Sequence, residues 1–211
     1  MDYLTHPLNY HICFIKTNMM SLHLEQTQPA LILIDVQTAF NNVAYWGGNR
    51  NNPGAEQNIA GLLKHWRENE LPLFHVKHNS IMPGSLLAIT NPGNSFMEAA
   101  MPLDGESIIT KNVNSAFIGT NLQQLLDEQH IKTVMIAGFT TEHCVSTTTR
   151  MAANLGYNTY VIADATVSFA KVGVNGENFS AEMVHAVSLA TLKDEFATII
   201  TTEQAKKIVT I

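Results

Sequence analysis

The run ALILIDV, residues 30–36, is apolar at six of its seven positions. A strand that is apolar on both faces is typical of the interior of a parallel sheet, because helices cover both faces of such a sheet. Parallel neighbours must be joined by a crossover of about a dozen or more residues, which is usually a helix. A chain that contains this run is therefore expected to alternate strands and helices around a parallel sheet.

The rest of the chain has this alternation. An apolar stripe at helical spacing predicts a helix, and it consists of Ile59, Leu62, Leu63 and Trp66. Apolar, β-branched runs predict further strands at 71–78, 106–111, 132–138, 157–164 and 196–201. Further helices are predicted at 120–130, 141–155 and 180–193, and loops at 79–104 and 171–178. This order specifies a three-layer α/β/α fold with a mostly parallel, open, Rossmann-like sheet of about six strands.

Composition narrows the class of partner. A chain of 211 residues, of which 45% are hydrophobic, is long enough for one well-buried core and short for two. A formal net charge of −6, with no cluster of lysine and arginine, gives no electrostatic reason to bind nucleic acid or an anionic membrane. The glycines form no phosphate-binding pattern, so we expect a small-molecule substrate and no cofactor.

The N-terminal segment and the cysteines indicate location. Residues 1–28 show no strand and helix pattern, and their apolar run YHICFIK is too short to span a bilayer. We expect 1–28 to be an extension outside the core and 29–211 to form the domain. The only two cysteines are Cys13 and Cys144. This low count, without a secretory signal pattern, predicts free thiols and a cytoplasmic protein.

Three chemically active side chains follow the predicted strands. Asp35 lies near the end of the first strand, Lys111 at the end of the third, and Cys144 six residues past the fourth. In open α/β sheets the ligand binds beyond the carboxyl ends of the strands. We therefore expect the acid, the amine and the thiol to meet at the edge of the sheet where a ligand would bind.

These residue types suit nucleophilic catalysis. A thiol becomes a nucleophile when a cation or a helix N-terminus stabilises its thiolate, and Lys111 and a helix capped by Thr141 would supply both. Asp35 would take the thiol proton and return it to a leaving nitrogen. Each residue taken alone also has a structural interpretation. The cysteine could be a small apolar residue in the core, the aspartate could cap a helix or lie in a turn, and the lysine could be a solvated residue at the end of a strand.

Three motifs, in order, resemble those of the isochorismatase-like cysteine hydrolases, which include nicotinamidases and N-carbamoylsarcosine amidohydrolases. They are LILIDVQTAF at 31–40, ITKNVNSAF at 109–117 and AGFTTEHCV at 137–145. The resemblance runs over about 29–205 and implies that fold, with Asp35, Lys111 and Cys144 as a catalytic triad. It also implies a cis peptide between Phe139 and Thr140.

The resemblance further implies an oxyanion hole formed by the backbone N–H groups of Thr140 and Cys144, and a pocket with Phe40 and Gln37. The implied reaction is attack of Cys144 on the carbon of a small amide, ureido or carbamoyl compound, followed by thioester hydrolysis. True isochorismatases lack the cysteine, so its presence favours the amidase branch. Members are usually dimers or tetramers, which implies a homo-oligomer.

Other interpretations stay open on the sequence alone. The chain could be an inactive binding or assembly protein with this fold, or an isochorismatase-type hydrolase of another small metabolite. A Cys-His protease would need a distant histidine such as His185. His143 adjoins the nucleophile, but neighbours in a helix point about 100° apart, so we expect it to aim away from whatever Cys144 faces and to be a helix-surface or interface residue.

The remaining candidates lie near the same edge. His75 and His78 are three residues apart on a strand and face opposite sides, so we expect no metal site between them. His78, nearer the strand end, is a candidate to contact substrate or to be a hydrogen-bonded surface residue. Trp46 and Phe169 lie on loops after strands, where they would either close over a substrate or pack against the protein or a second subunit.

Overall fold

A computed structural model of the chain describes residues 28–209. The predicted extension at 1–28, apart from its last residue, and Cys13 lie outside these residues. The division of the chain into an extension at 1–28 and a single domain at 29–211 stays a prediction.

The centre of the molecule is a parallel sheet of six strands. They are β1 (Ala30–Ile34), β2 (Leu73–His78), β3 (Ser107–Lys111), β4 (Thr133–Phe139), β5 (Asn158–Val167) and β8 (Thr198–Ile200), while β6 (Lys171–Val172) and β7 (Asn178–Phe179) form a separate hairpin. The order in the sheet is β3-β2-β1-β4-β5-β8. All five neighbouring pairs are parallel, so the predicted fold class is confirmed.

Helices cover both faces of this sheet. They are α1 (Val43–Trp46), α2 (Ala55–Glu68), α3 (Leu122–Glu128), α4 (Ser146–Asn154), α5 (Ala181–Leu192) and α6 (Thr202–Val209). Alternate residues of β1 point to opposite faces: Leu31 and Leu33 pack in the core under α2 and α6, and Ile32 in the core under α3 and α4. This two-sided burial is why β1 is apolar throughout.

Two helices and a hairpin were missed, and the first of them is the short helix α1, which contains Trp46 where a loop was predicted. The segment after β8 forms α6, and the loop predicted at 171–178 contains an antiparallel hairpin of β6 (Lys171–Val172) and β7 (Asn178–Phe179). The loop predicted at 79–104 is a loop with two short 3₁₀ turns, Pro92–Asn94 and Glu98–Ala100. A third 3₁₀ turn, Thr38–Asn41, follows β1.

Several large apolar side chains face outward. Val174 of the hairpin is fully exposed, and Met183 and Val187 of α5 are 54% and 57% exposed. Such a surface suits the predicted homo-oligomer, which stays a prediction. No helix within 28–209 has both the length and the apolar character needed to cross a membrane.

Candidate active site

The carboxyl ends of three strands bring the predicted acid, amine and thiol together. Asp35 follows β1 with a positive φ of 50°, Lys111 is the last residue of β3, and Cys144 lies just after β4. Lys111 Nζ donates to Asp35 Oδ2 at 2.7 Å and to Cys144 Sγ at 3.2 Å. Asp35 is completely buried, Lys111 is buried and Cys144 is half-buried.

A fourth residue completes the hydrogen bonds of the lysine. His78 Nδ1 lies 3.0 Å from Lys111 Nζ. A lysine ammonium has three N–H groups, and Asp35, Cys144 and His78 supply one acceptor for each. Because Nδ1 then acts as an acceptor, the geometry assigns the proton of the neutral His78 ring to Nε2. Burial lowers the pKa of His78, and Lys111 lowers it further while Asp35 opposes the shift.

The same geometry bears on metal binding. The ligand atoms of Asp35, His78 and Cys144 lie within 4.8 Å of one another, close enough to surround a cation. Lys111 Nζ already lies within hydrogen-bond distance of all three residues. The donor set therefore fits the lysine ammonium rather than a metal ion. His75 turns away from this group, and its Nε2 lies 2.9 Å from Glu106 Oε2.

Cys144 lies in a turn of unusual width. The peptide between Phe139 and Thr140 is cis, as the resemblance implied. Residues Thr141–Val145 form a π-helical turn in which Val145 N–H donates to Thr140 O at 3.1 Å. The prediction of Thr141 as the cap was wrong, because this wider turn begins one residue earlier, at Thr140, and the Thr141 hydroxyl instead contacts His185 Nδ1 at 3.0 Å.

The surroundings of Cys144 act on the pKa of its thiol in opposite directions. Burial raises this pKa, the charge of Asp35 raises it further, and Lys111 lowers it by less than these effects combined. The expectation that Lys111 stabilises the Cys144 thiolate stays a prediction, and the 3.2 Å contact between Lys111 Nζ and Cys144 Sγ is the geometry that it needs. The thiol proton has an acceptor nearby, since Asp35 Oδ1 is buried and has no hydrogen-bond partner among the described residues.

Cys144 opens into a cavity of about 550 Å³. One wall is aromatic, with Phe40, Tyr45 and Trp46. A rim formed by the loop after β2 faces this wall and contributes residues between Ser80 and Leu87. Neutral polar groups complete the lining, and they come from His78, Asn114, Thr140 and His143.

The aromatic wall is held rigidly from behind. Trp46 Nε1–H donates to Ala39 O at 2.8 Å, and the Phe40 ring centroid lies 4.6 Å from that of Trp46. Phe169 is completely buried and 6.1 Å from Phe40, so it supports the wall without lining the cavity. The prediction that Phe169 contacts substrate was wrong, because its loop folds back into the core.

Gln37 was also assigned a wrong position. Its side chain is completely buried and does not line the cavity. Its Oε1 accepts from His78 N–H at 2.8 Å, and its Nε2 donates to His78 O at 3.1 Å and to Asn94 O at 2.9 Å. Because all these partners are backbone groups, Gln37 fixes the end of β2, and with it the position of His78, rather than the substrate.

His143 and His185 are the remaining histidines that the sequence made candidates for the site. The side chain of His143 is 55% exposed, which confirms the expected surface position, but it also lines the cavity beside Cys144. The expectation that it points away from the site assumed an α-helix, whereas this turn is π-helical. His143 Nδ1 contacts Thr140 Oγ1 at 3.2 Å. His185 is held by Thr141 and is not a cavity residue. A Cys-His pair with His185 is not formed.

Sequence reasoning missed three parts of the site. They are Asn114, whose Oδ1 lies 3.9 Å from Cys144 Sγ, Tyr45 in the wall, and the rim after β2. Asn114 lies within the ITKNVNSAF motif, so its position beside Lys111 was the one available signal. The rim residues carry no chemical signal, because they are small or apolar.

Comparisons with known proteins point in one direction. A family model described as the Isochorismatase domain matches residues 29–204. The isochorismatase family protein YrdC of Bacillus subtilis (strain 168) is 49% identical over 179 residues, which cover 85% of this chain and 95% of YrdC. Nicotinamidase 3 of Arabidopsis thaliana is 28% identical over 153 residues, covering 66% of this chain and 73% of that protein.

A solved structure extends the likeness to three dimensions. An isochorismatase-family protein from Chromobacterium violaceum ATCC 12472 is 40% identical, with a TM-score of 0.82. The match covers 86% of this chain and 93% of the solved chain.

Proposed function

The chain belongs to the isochorismatase family of hydrolases, and on this premise we propose that it is a cysteine-dependent amidohydrolase. Its substrates are small amide, ureido or carbamoyl compounds, whose carbon–nitrogen bond it cleaves through a thioester on Cys144. One observation carries the proposal: Lys111 Nζ donates hydrogen bonds to both Asp35 Oδ2 and Cys144 Sγ, and Cys144 lines the cavity. Nicotinamidase 3, a relative whose name gives it an amide substrate, supports the choice of bond.

The first half of the reaction forms the thioester. The Cys144 thiol proton moves to Asp35 as the sulfur attacks the substrate carbonyl carbon, and the carbonyl oxygen takes the negative charge. The carbon–nitrogen bond then breaks, and the leaving nitrogen takes the proton from Asp35 to depart as ammonia or an amine. Lys111 keeps its charge throughout, and it stabilises the carboxylate first and the thiolate next.

The second half regenerates the enzyme. A water molecule gives a proton to Asp35 as its oxygen attacks the thioester carbon. The carbon–sulfur bond breaks, the sulfur regains a proton from Asp35, and the acid product leaves. Asp35 and Cys144 therefore end in their starting states.

Backbone N–H groups at Thr140 and Cys144 are proposed to stabilise the oxyanion. Thr140 N–H has no hydrogen-bond acceptor within residues 28–209, and Thr140 lines the cavity with Cys144. A donor of this kind contributes about 3 kcal/mol to such transition states.

Ammonia release from a panel of small amides tests the proposal. The panel contains nicotinamide, benzamide, maleamide, carbamoylsarcosine and a ureido compound. We expect at least one to be hydrolysed, with Cys144→Ala abolishing turnover and Cys13→Ala leaving it unchanged. Mass spectrometry of a rapidly quenched reaction should find the acyl group on Cys144. Turnover that survives Cys144→Ala would overturn the proposed mechanism, and no turnover of any amide would favour a binding role.

A further inference from the structure

Three cations near the cavity, all within residues 28–209, are paired with other groups. Lys111 uses its three N–H groups on Asp35, His78 and Cys144. Arg50 lies behind the aromatic wall, where its guanidinium makes a bidentate pair with Glu56 at 2.6 and 2.9 Å. These cations cannot turn toward a ligand without breaking the contacts that hold them.

The third cation lies beside the mouth. Lys171 Nζ is 3.1 Å from Glu142 Oε1, and Glu142 precedes His143 in the π turn. Glu142 Oε1 also lies 3.8 Å from His143 Nδ1, so the positive charge of this region is balanced by one carboxylate.

The cavity itself presents neutral groups. In the described part of the chain, no arginine or lysine lines it. Desolvation lowers the pKa of both His78 and His143 from the ordinary value of histidine, although the His143 side chain is 55% exposed and Glu142 opposes its shift. The polar atoms that face a ligand are therefore uncharged, and His78 Nε2–H is a donor among them.

The aromatic wall of the cavity favours a flat, apolar part of the substrate. Phe40 and Trp46 are fixed in a tilted pair, and Tyr45 packs edge-on against Trp46 at 4.9 Å. Aromatic side chains arranged in this way bury planar groups through large contact areas. None of these three side chains carries a positive charge.

We infer that the site selects uncharged amides and rejects amides whose acyl part carries a carboxylate. This inference rests on the proposed amidohydrolase function and narrows its substrate class. A carboxylate that enters the cavity loses water and meets neutral donors, because no lysine or arginine among the described residues lines the cavity and Asp35 and Lys111 offset each other's charge. A neutral amide of the same shape loses much less hydration and keeps the same contacts.

Matched substrate pairs isolate this charge effect. Maleamide and maleamate share a carbon skeleton, as do terephthalamide and 4-carbamoylbenzoate, and each pair differs in one amide against one carboxylate. We expect kcat/KM for the neutral member to be at least about tenfold higher, well above the twofold that two equivalent amides supply.

A charge added to the rim should weaken the preference for the neutral amides. Met82 lines the cavity and is 67% exposed, so Met82→Lys places a free ammonium at the mouth. We expect it to raise kcat/KM for the carboxylates by at least about fivefold relative to the diamides. Met101→Lys makes the same change at a residue that is 50% exposed and outside the cavity, and it should leave both values unchanged.

Binding measurements test the preference for neutral amides separately from the amidohydrolase function. Calorimetric titration of each pair into Cys144→Ala measures the preference without turnover, and we expect the neutral member to bind more tightly. Equal or tighter binding of the carboxylates, or no binding of either member, overturns the inference. A neutral preference in binding without any turnover by the parent enzyme supports the inference and overturns the amidohydrolase function.

Discussion

Replacing Lys111 by methionine measures the energetic weight of the buried ion pair. Lys111 Nζ lies 2.7 Å from Asp35 Oδ2, and both side chains have 0% of their surface exposed. At an effective dielectric constant of about 20, unit charges at this separation attract by about 6 kcal/mol, part of which offsets their desolvation. Removing one partner leaves a buried charge, so we expect Lys111→Met to lower the free energy of unfolding by about 3–5 kcal/mol.

Urea unfolding followed by circular dichroism at neutral pH provides the measurement. The matched control is Lys64→Met, since Lys64 and Glu68 form a pair at 3.1 Å with side chains 75% and 57% exposed. That change should cost at most about 0.5 kcal/mol. The double variant Asp35→Asn/Lys111→Met should regain at least about 2 kcal/mol, and it decides the question if Lys111→Met does not fold. A loss below about 1 kcal/mol, or no recovery in the double variant, would refute the reasoning.

Three further predictions concern the thiol, a surface carboxylate and a glycine. Because the pKa of the Cys144 thiol is raised, Cys144 should react with iodoacetamide at neutral pH more slowly than free cysteine does. The labelling rate is measured in the Cys13→Ala variant, in which Cys144 is the only cysteine. A rate above that of free cysteine would contradict the prediction. Burial opposes the shift at Glu106, but hydrogen bonds, chiefly from Arg67, lower its pKa from 4.5 to about 2. The ionised Glu106 carboxylate therefore contributes about 1 kcal/mol to the free energy of unfolding, after solvent screening, above pH 4.5, and this contribution is lost as the pH falls toward 2. Glu106→Gln should remove this contribution. If the free energies of unfolding of the parent and the variant differ by the same amount at every pH, the carboxylate is not its source. Gly138→Ala should prevent folding or cost more than about 3 kcal/mol, since a Cβ would overlap a carbonyl of β1, whereas Gly156→Ala, with a φ of 89° and open space, should cost about 1 kcal/mol in the same unfolding assay.

The sheet was predictable because its signal is local. Each residue of β1 contacts a helix layer on one face or the other, so the strand is apolar throughout and the periodicity is read without knowledge of its neighbours. The missed elements lack such a signal. Helix α6 spans eight residues with few buried positions, and β6 and β7 pair over only two residues each.

From the sequence, we could predict which residues of the site follow the ends of strands, but not the contacts that their side chains make. The topology rule placed Asp35, Lys111 and Cys144 at one edge, because it depends on strand order alone. Gln37 and Phe169 were misplaced since their contacts are made with distant loops, which no spacing in the sequence reveals. The π turn around Cys144 escaped for a related reason: five residues with an i to i+5 hydrogen bond give no periodic pattern.

The proposed mechanism explains why a buried site uses an acid, an amine and a thiol together. Before reaction, Asp35 and Lys111 carry opposite charges and Cys144 is a neutral thiol. When the thiol proton moves to Asp35, the negative charge passes from oxygen to sulfur, and the sum over the three groups remains zero. Lys111 Nζ, at 2.7 Å from the oxygen and 3.2 Å from the sulfur, contacts the charge in both states without moving. A carboxylate bound nearby would add a net negative charge to this balanced set, which is the physical reason that we expect neutral amides to be its substrates.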